Sequence, residues 1–513
     1  MALILLDYVF VLVLLFLVYS FWRRRNSDLP LPPGPRGLPV LGNALQIPQE
    51  RPWLVYAEWA KQYGSLTHLT AFGTHLIIIN DRKTAHDLLD RRNAIYNGRV
   101  HMTFAGEIVG WEKSVAMLQG PRHIQTRRMG QTLMSLASVQ QQCGERMTAE
   151  AHRLLKNLLD KPQEWMDHYR SSAGAFIMLT TYGTEPGKEQ DALIAEAKEV
   201  VERFSVAATP GNWIVDFIPI LKYVPAWVPG FRFNATGKTW RSQLEHLVHS
   251  PFNKVKTLME KHAAPPSLAA NFLESNPAQN EELIRWLCGS LFAAGADTTV
   301  GALASFTLAM TKFPLAQRAA QAELDRVVGR DRLPVFADFE HMPYLHALVK
   351  EVLRWGIIVP MGFPHRLSSP EQDTYDGYRI PAGALLLPNA WAMSRDTGVY
   401  GADVEVFRPE RYLEMKELQG MAYGMAYGSP VFGFGGRVCL GQHVAYATLL
   451  VQIASILAAF DISPPVGKDG KLAVPGEVGF SSGVVSHPEH FETVIRPRSA
   501  EAKELVQAAN AFE

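Results

Sequence analysis

Cysteine is scarce in this chain: Cys143, Cys288 and Cys439 are the only three in 513 residues. An odd and sparse set excludes a disulfide framework and places the bulk of the chain in a reducing compartment. Excess charge of one sign is also lacking, with 50 Lys+Arg against 50 Asp+Glu. That balance argues against nucleic acid as a partner held by a global basic field. No GxGxxG follows a candidate strand and no flavin motif occurs, so neither a nicotinamide nor a flavin site is expected here. After the N-terminal region there is no internal repeat, no low-complexity tract and no Pro/Gly/Ser-rich break. Residues 43–513 therefore read as one large domain.

What is present is globular composition, 47% apolar and 19% charged, enough for a large core. Residues 2–22, ALILLDYVFVLVLLFLVYSFW, form an apolar run followed by Arg23-Arg24-Arg25. As a helix the run would span roughly 31 Å, about one hydrocarbon core. A cleaved signal peptide would carry basic residues before the run and small residues at its end. Here the basic residues follow and Tyr19, Phe21 and Trp22 crowd the end, so residues 1–22 read as a membrane anchor. The positive-inside rule leaves the body cytoplasmic. No later segment has 18 uninterrupted apolar residues, so a single span is expected. Residues 23–42 form a basic, proline-rich linker, with Pro30, Pro32, Pro33, Pro35 and Pro39 favouring an extended, stiff spacer.

In the body, helical periodicity predicts helices over 129–158, 191–206, 240–262, 281–312, 314–328 and 345–355. Short β signals lie near 65–80, 375–380, 384–389 and 482–497. Strands do not alternate with helices, so the fold class expected is mainly α with small β-sheets.

Cys143 and Cys288 read as small buried hydrophobes. Cys439 stands apart, in Phe432-Gly433-Phe434-Gly435-Gly436-Arg437-Val438-Cys439-Leu440-Gly441 ahead of an apolar helical run. Glycines let backbone approach a large planar ligand, and oriented N–H groups at a helix start favour a thiolate. Arg437 offers charge to an anionic group. This is the environment that a thiolate ligand to haem iron requires.

The pattern Phe-x-x-Gly-x-Arg-x-Cys-x-Gly, carried by Phe432, Gly435, Arg437, Cys439 and Gly441, resembles that of the cytochrome P-450 family, the haem-thiolate monooxygenases. Nearly the whole chain shares the family's order of parts. Its anchor, hinge and spacing are most similar to membrane-bound fungal members that tailor secondary metabolites. The resemblance implies the cytochrome P-450 fold with one N-terminal transmembrane helix, and it assigns roles to particular residues. Glu351 and Arg354, at i and i+3 on one helix face, would with Arg411 lock a helix to the segment holding the cysteine loop. Ala294-Gly295-Ala296-Asp297-Thr298-Thr299 resembles the oxygen-activation motif, with Asp297 feeding protons and Thr298 holding oxygen and water. Gly295 and the hydroxyls are expected to open the helical ladder there. Arg127, on a helix at 122–136, and His365 would bind the haem propionates. Where the family usually carries Trp, four residues before Arg127, this chain has His123.

The implied cofactors are haem b on Cys439 and O2 as co-substrate. NADPH acts through a partner, NADPH–cytochrome P-450 reductase, on the endoplasmic-reticulum membrane. Arg122, Arg127 and Arg128 are candidates for its docking. The substrate expected is a lipophilic small molecule, with pocket walls drawn from Phe104, Trp111, Ala294, Ile358, Val359, Val484 and Val485. The aromatic, proline-rich stretch from Phe204 to Trp240 reads as a roof that touches the membrane. A haem-thiolate isomerase or dehydratase is a second reading, but it would lack the Asp297–Thr298 pair. A non-enzymatic membrane-anchored haem protein is a third, and substrate-dependent NADPH consumption separates it from an enzyme.

Overall fold

The computed structural model describes residues 29–509 apart from 137, 140–142, 185–186, 210, 276–279 and 416–428. The expected anchor at 2–22 lies outside the described residues. The centre is helix α8, Glu281–Lys312. Between Arg285 and Lys312 it carries a single charged residue, Asp297. A helix this apolar all round belongs in a core, and almost every residue from Leu283 to Thr311 is buried.

The other long helices are α1 (Pro52–Tyr63), α2 (Gly120–Leu133), α3 (Gly144–Asp160), α4 (Trp165–Tyr182), α5 (Lys188–Ala208), α6 (Phe233–Glu260) and α7 (Leu268–Ser275) before α8. After it come α9 (Pro314–Val327), α10 (Pro343–Trp355), α11 (Gln442–Ala459) and α12 (Ala500–Ala509). Helix α8 packs most extensively on α4, and also on α5, α6, α10 and α11. Helices α8 and α11 are long and apolar enough to cross a membrane, but both are mostly buried inside the protein.

A five-stranded sheet closes one side in the order β1-β2-β7-β4-β3. Its strands are β1 (Leu66–Ala71), β2 (Thr74–Ile79), β3 (Gly98–Arg99), β4 (His365–Arg366) and β7 (Leu385–Pro388). Phe72 and Gly73, both at positive φ, make the tight turn that matches strand twist between β1 and β2. Strand β4 pairs antiparallel with β3 and sets Arg99 opposite His365. Among the described residues two further antiparallel pairs occur, β5 (Asp373–Tyr375) with β6 (Tyr378–Ile380) and β8 (Phe460–Ser463) with β9 (Val494–Pro497).

Several expectations change. The helix read over 129–158 is two helices, α2 and α3. Between them the Ser135 hydroxyl accepts from the Ser138 amide, a local bond that competes with the helical ladder. Helix α4 was not expected, because it is buried on nearly all sides and shows no amphipathic stripe. The tail over 482–497 is mostly loop, with strand only in β9. The proline-rich segment lies along the body: Pro33 O accepts from His68 N at 2.9 Å and Pro30 O from Arg379 N at 2.8 Å.

Candidate active site

The cysteine loop is a closed, pinned turn. Cys439 N donates to Phe432 O at 2.7 Å, which joins its two ends. Gly435 sits at φ +54, and a Cβ there would lie 2.1 Å from Leu89 O. Its amide donates to Asp90 Oδ1 at 2.5 Å, and the Gly436 amide donates to Asn93 Oδ1 at 3.0 Å. A side chain at 435 would push the loop off the 89–93 segment. The Cys439 side chain is exposed and borders a cavity of about 320 Å³. Burial pushes its thiol up, and the Gly441 backbone and the Arg127 charge pull the other way.

One end of the cavity is cationic. Arg99, Arg127, Arg437, His123 and His365 all border it and all are buried. Arg437 donates Nε to Asn97 O and Nη1 to Leu118 O, at 2.8 and 2.7 Å. Arg99 donates to Ala116 O, Phe363 O and Pro364 O. Among the described residues no carboxylate pairs with any of the three arginines. Burial, with the charges of Arg437 and Arg127, holds Arg99 well below its ordinary range. Arg437 falls to about 10 through burial and the Arg127 charge. His365 falls to about 3 through burial and the Arg99 charge. Its Nδ1–H donates to Tyr96 O at 2.9 Å, which leaves Nε2 as the second ring nitrogen. His123 also falls to about 3, through burial and the three guanidinium charges, and its Nε2 has no partner among the described residues.

Buried cations without counter-ions are costly. Three of them around an unpartnered histidine nitrogen suit a ligand carrying more than one anionic group. That donor set, beside a cysteine sulfur open to the same cavity, fits a haem with two propionates. Arg99 was missed in the sequence because it stands in no motif. Its pairing with His365 across β3 and β4 is made only by the fold.

Ala294, Gly295, Asp297, Thr298 and Thr299 of α8 border the same cavity. The ladder is not opened: α8 is continuous and Thr298 Oγ1 donates back to Ala294 O at 2.8 Å. The β-branched hydroxyl finds its partner one turn back, so no break is required. Asp297 meets His487, from the tail, at 3.2 Å. His487 was also missed in the sequence.

Trp111, Val359, Val484 and Val485 border the cavity, with Phe176, Phe204 and Phe363. Phe104 and Ile358 do not. Phe104 stacks on Trp213 at 3.6 Å between ring centroids, within a packed cluster that includes Trp240. The Ile358 carbonyl accepts from Ser486 N at 2.8 Å, behind the wall. Glu351, Arg354 and Arg411 come together and are buried away from the cavity. Of the three arginines considered for docking, Arg127 is buried at the cavity and Arg122 is paired with Glu282 at 2.7 Å, while Arg128 is exposed.

Known proteins share this chain's sequence over most of its length. The sequence profile of the family described as Cytochrome P450 matches residues 32–493. The chain is similar to cytochrome P450 monooxygenase 208 of Postia placenta, 39% identical over 98% of this chain and 96% of that one. It is also similar to cytochrome P450 monooxygenase claR of Ampulloclitocybe clavipes, 38% identical over 97% of this chain and 91% of that one. A third relative, a cytochrome P450 monooxygenase of Armillaria gallica, is 38% identical over 95% of this chain and 92% of that one.

Proposed function

The chain belongs to the cytochrome P450 family, and on that premise we propose that it inserts one oxygen atom of O2 into a lipophilic product of secondary metabolism, with Cys439 as ligand to the haem iron. It is a haem-thiolate monooxygenase, which uses haem b and O2 and takes electrons from a partner reductase. The observation that carries the residue assignment is one shared cavity. Cys439, the uncompensated arginines, and Asp297 with Thr298 of α8 all border it.

In this reading Arg99, Arg127 and Arg437 neutralise the two propionates, and His365 donates from Nε2 once their charge draws a second proton onto its ring. The pinned loop from Phe432 to Gly441 sets the sulfur, with Gly435 required by its left-handed backbone. Thiolate-bound haem supplies the oxygen-activating chemistry. Asp297 holds a proton source against the cavity, and Thr298 presents a hydroxyl beside it. Trp111, Phe204, Phe363, Val484 and Val485 exclude water and hold an apolar substrate. Glu351, Arg354 and Arg411 stay structural.

Residues 2–22 anchor the protein in the endoplasmic-reticulum membrane by a single span. Residues 23–42 form the linker, and residues 43–513 form the cytoplasmic catalytic domain. Exposed apolar side chains support a membrane-facing surface: Val40, Ile220 and Trp227 are 82, 71 and 83% exposed, and Phe217 ties their region to Phe72 at 4.5 Å. NADPH–cytochrome P-450 reductase is the electron donor. The test is reconstitution with that reductase, NADPH and candidate lipophilic substrates. Product carrying one atom of labelled O2 is expected from the wild type and none from Cys439→Ala. An oxygenating Cys439→Ala variant would overturn the assignment.

A further inference from the structure

His487 Nε2 lies 3.2 Å from Oδ1 and 3.2 Å from Oδ2 of Asp297. A carboxylate only accepts, so Nε2 carries the proton and donates to Oδ2, with Oδ1 within ion-pair reach. Equal distances to the two oxygens put the imidazole across the end of the carboxylate and fix its rotation as well as its place. Asp297 borders the cavity and His487 does not, so the histidine holds the acid from behind.

The histidine is itself held. Its amide donates to Ser481 Oγ at 3.0 Å, and its carbonyl accepts from Ser481 N at 2.8 Å. Ser486, beside it, donates N to Ile358 O at 2.8 Å and Oγ to Ser481 O at 2.7 Å. Its Nδ1 edge lies close to Gly301, where a Cβ would approach it at 3.5 Å. The strapped 481–487 turn also carries Val484 and Val485 into the cavity wall. One segment of the tail therefore shapes the apolar wall and grips the only acid that borders the cavity among the described residues.

From this we infer that His487 is a positioning residue for Asp297, setting where the carboxyl stands beside Thr298 and so how efficiently protons reach bound oxygen. The inference rests on the role proposed above for Asp297. A side chain held by a rigid, hydrogen-bonded neighbour needs no reorganisation when the proton moves, which is how supporting residues raise efficiency. Helix α8 alone does not supply that constraint, because an aspartate on a helix face has free rotamers.

The test uses the full-length holoenzyme with reductase and NADPH and no organic substrate, and reads how consumed O2 divides between hydrogen peroxide and water. His487→Ala is expected to raise the peroxide-to-water ratio severalfold. His487→Gln, which keeps an N–H donor, is expected to restore it to near the wild-type value. The spectral Kd for 4-phenylimidazole should stay unchanged in both. Backbone hydrogen exchange of residues 481–487 should quicken in Asp297→Asn, a readout that needs no turnover. An unchanged ratio in His487→Ala, a His487→Gln as impaired as His487→Ala, a 4-phenylimidazole Kd that moves with the ratio, or unaltered exchange in Asp297→Asn would each overturn the inference. Failure of the underlying haem-thiolate assignment is distinguishable, because it shows in the carbon-monoxide spectrum of the wild type before any His487 variant is made.

Discussion

Arg411 donates Nε to Oε1 of Glu351 at 3.1 Å, with both side chains wholly buried. The same carboxylate accepts from Arg354 Nε and Nη2 at 2.8 and 2.7 Å and from the Arg408 amide at 2.9 Å. Arg354 and Arg411 reach on to the carbonyls of Ser394, Val404, Val406 and Asp403. This network ties α10 to the chain that leads toward the cysteine loop. Removing one member of a buried ion pair leaves an uncompensated charge and costs about 3–5 kcal/mol. Glu351→Gln and Arg411→Ala should therefore lose most folded holoprotein, measured by thermal melting and by haem yield. Arg411→Lys should not rescue, because an ammonium cannot serve several carbonyls and a carboxylate from one fork.

The arginine cluster makes an opposite prediction for the haem-free chain. Arg127 is buried, has no carboxylate partner among the described residues, and is held below its ordinary range by burial. Arg127→Leu should melt no lower than wild type without haem. With haem it should release the group to apomyoglobin about tenfold faster or more, the size of one charge-assisted hydrogen bond. Equal haem release would remove Arg127 from the propionate site.

Gly435→Ala tests the loop geometry. The residue is at φ +54 and its missing Cβ faces Leu89 O at 2.1 Å. Left-handed strain adds about 1–2 kcal/mol to a clash with backbone. The variant should fold, since the helical core is elsewhere, but bind little haem in an absorbance titration. Gly476→Ala, away from the cavity, meets nothing within 4 Å and should bind haem as wild type does. Equal haem binding by both variants would contradict the loop account.

Acid should destabilise the protein through half-buried histidines held as neutral rings. Burial pushes His68 and His346 down to about 4, against about 6.5 in the unfolded chain. Between those values the unfolded state binds more protons, so stability is complete above about pH 6.5 and falls as pH drops toward 4. His346→Gln should flatten the pH dependence of urea unfolding over that window by up to about 1.4 kcal/mol per pH unit. A slope identical to wild type would contradict this.

Features written locally were legible in the sequence. Helix α8 declares itself by one charge in an apolar run, and Glu351 with Arg354 by i, i+3 spacing. The cysteine loop shows itself through glycines that a close turn needs. Contacts made by distant segments were not legible. Asp297 and His487 are 190 residues apart, and Arg99 finds Phe363 and Pro364 more than 260 residues away. Helix α4 escaped because a helix buried all round has no stripe to read. Asn234-Ala235-Thr236, which matches an N-glycosylation sequon in the sequence, shows the converse. Asn234 is buried and its Nδ2 donates to Val224 O at 2.6 Å, so the folded chain puts that nitrogen to structural use.

The measurement that tests the central assignment most directly is the carbon-monoxide difference spectrum of dithionite-reduced protein, wild type beside Cys439→His. The account predicts the strongly red-shifted Soret band of thiolate-bound haem in the wild type and its loss in the variant. A wild-type band at the histidine-ligated position, or a red-shifted band that survives in Cys439→His, would contradict it.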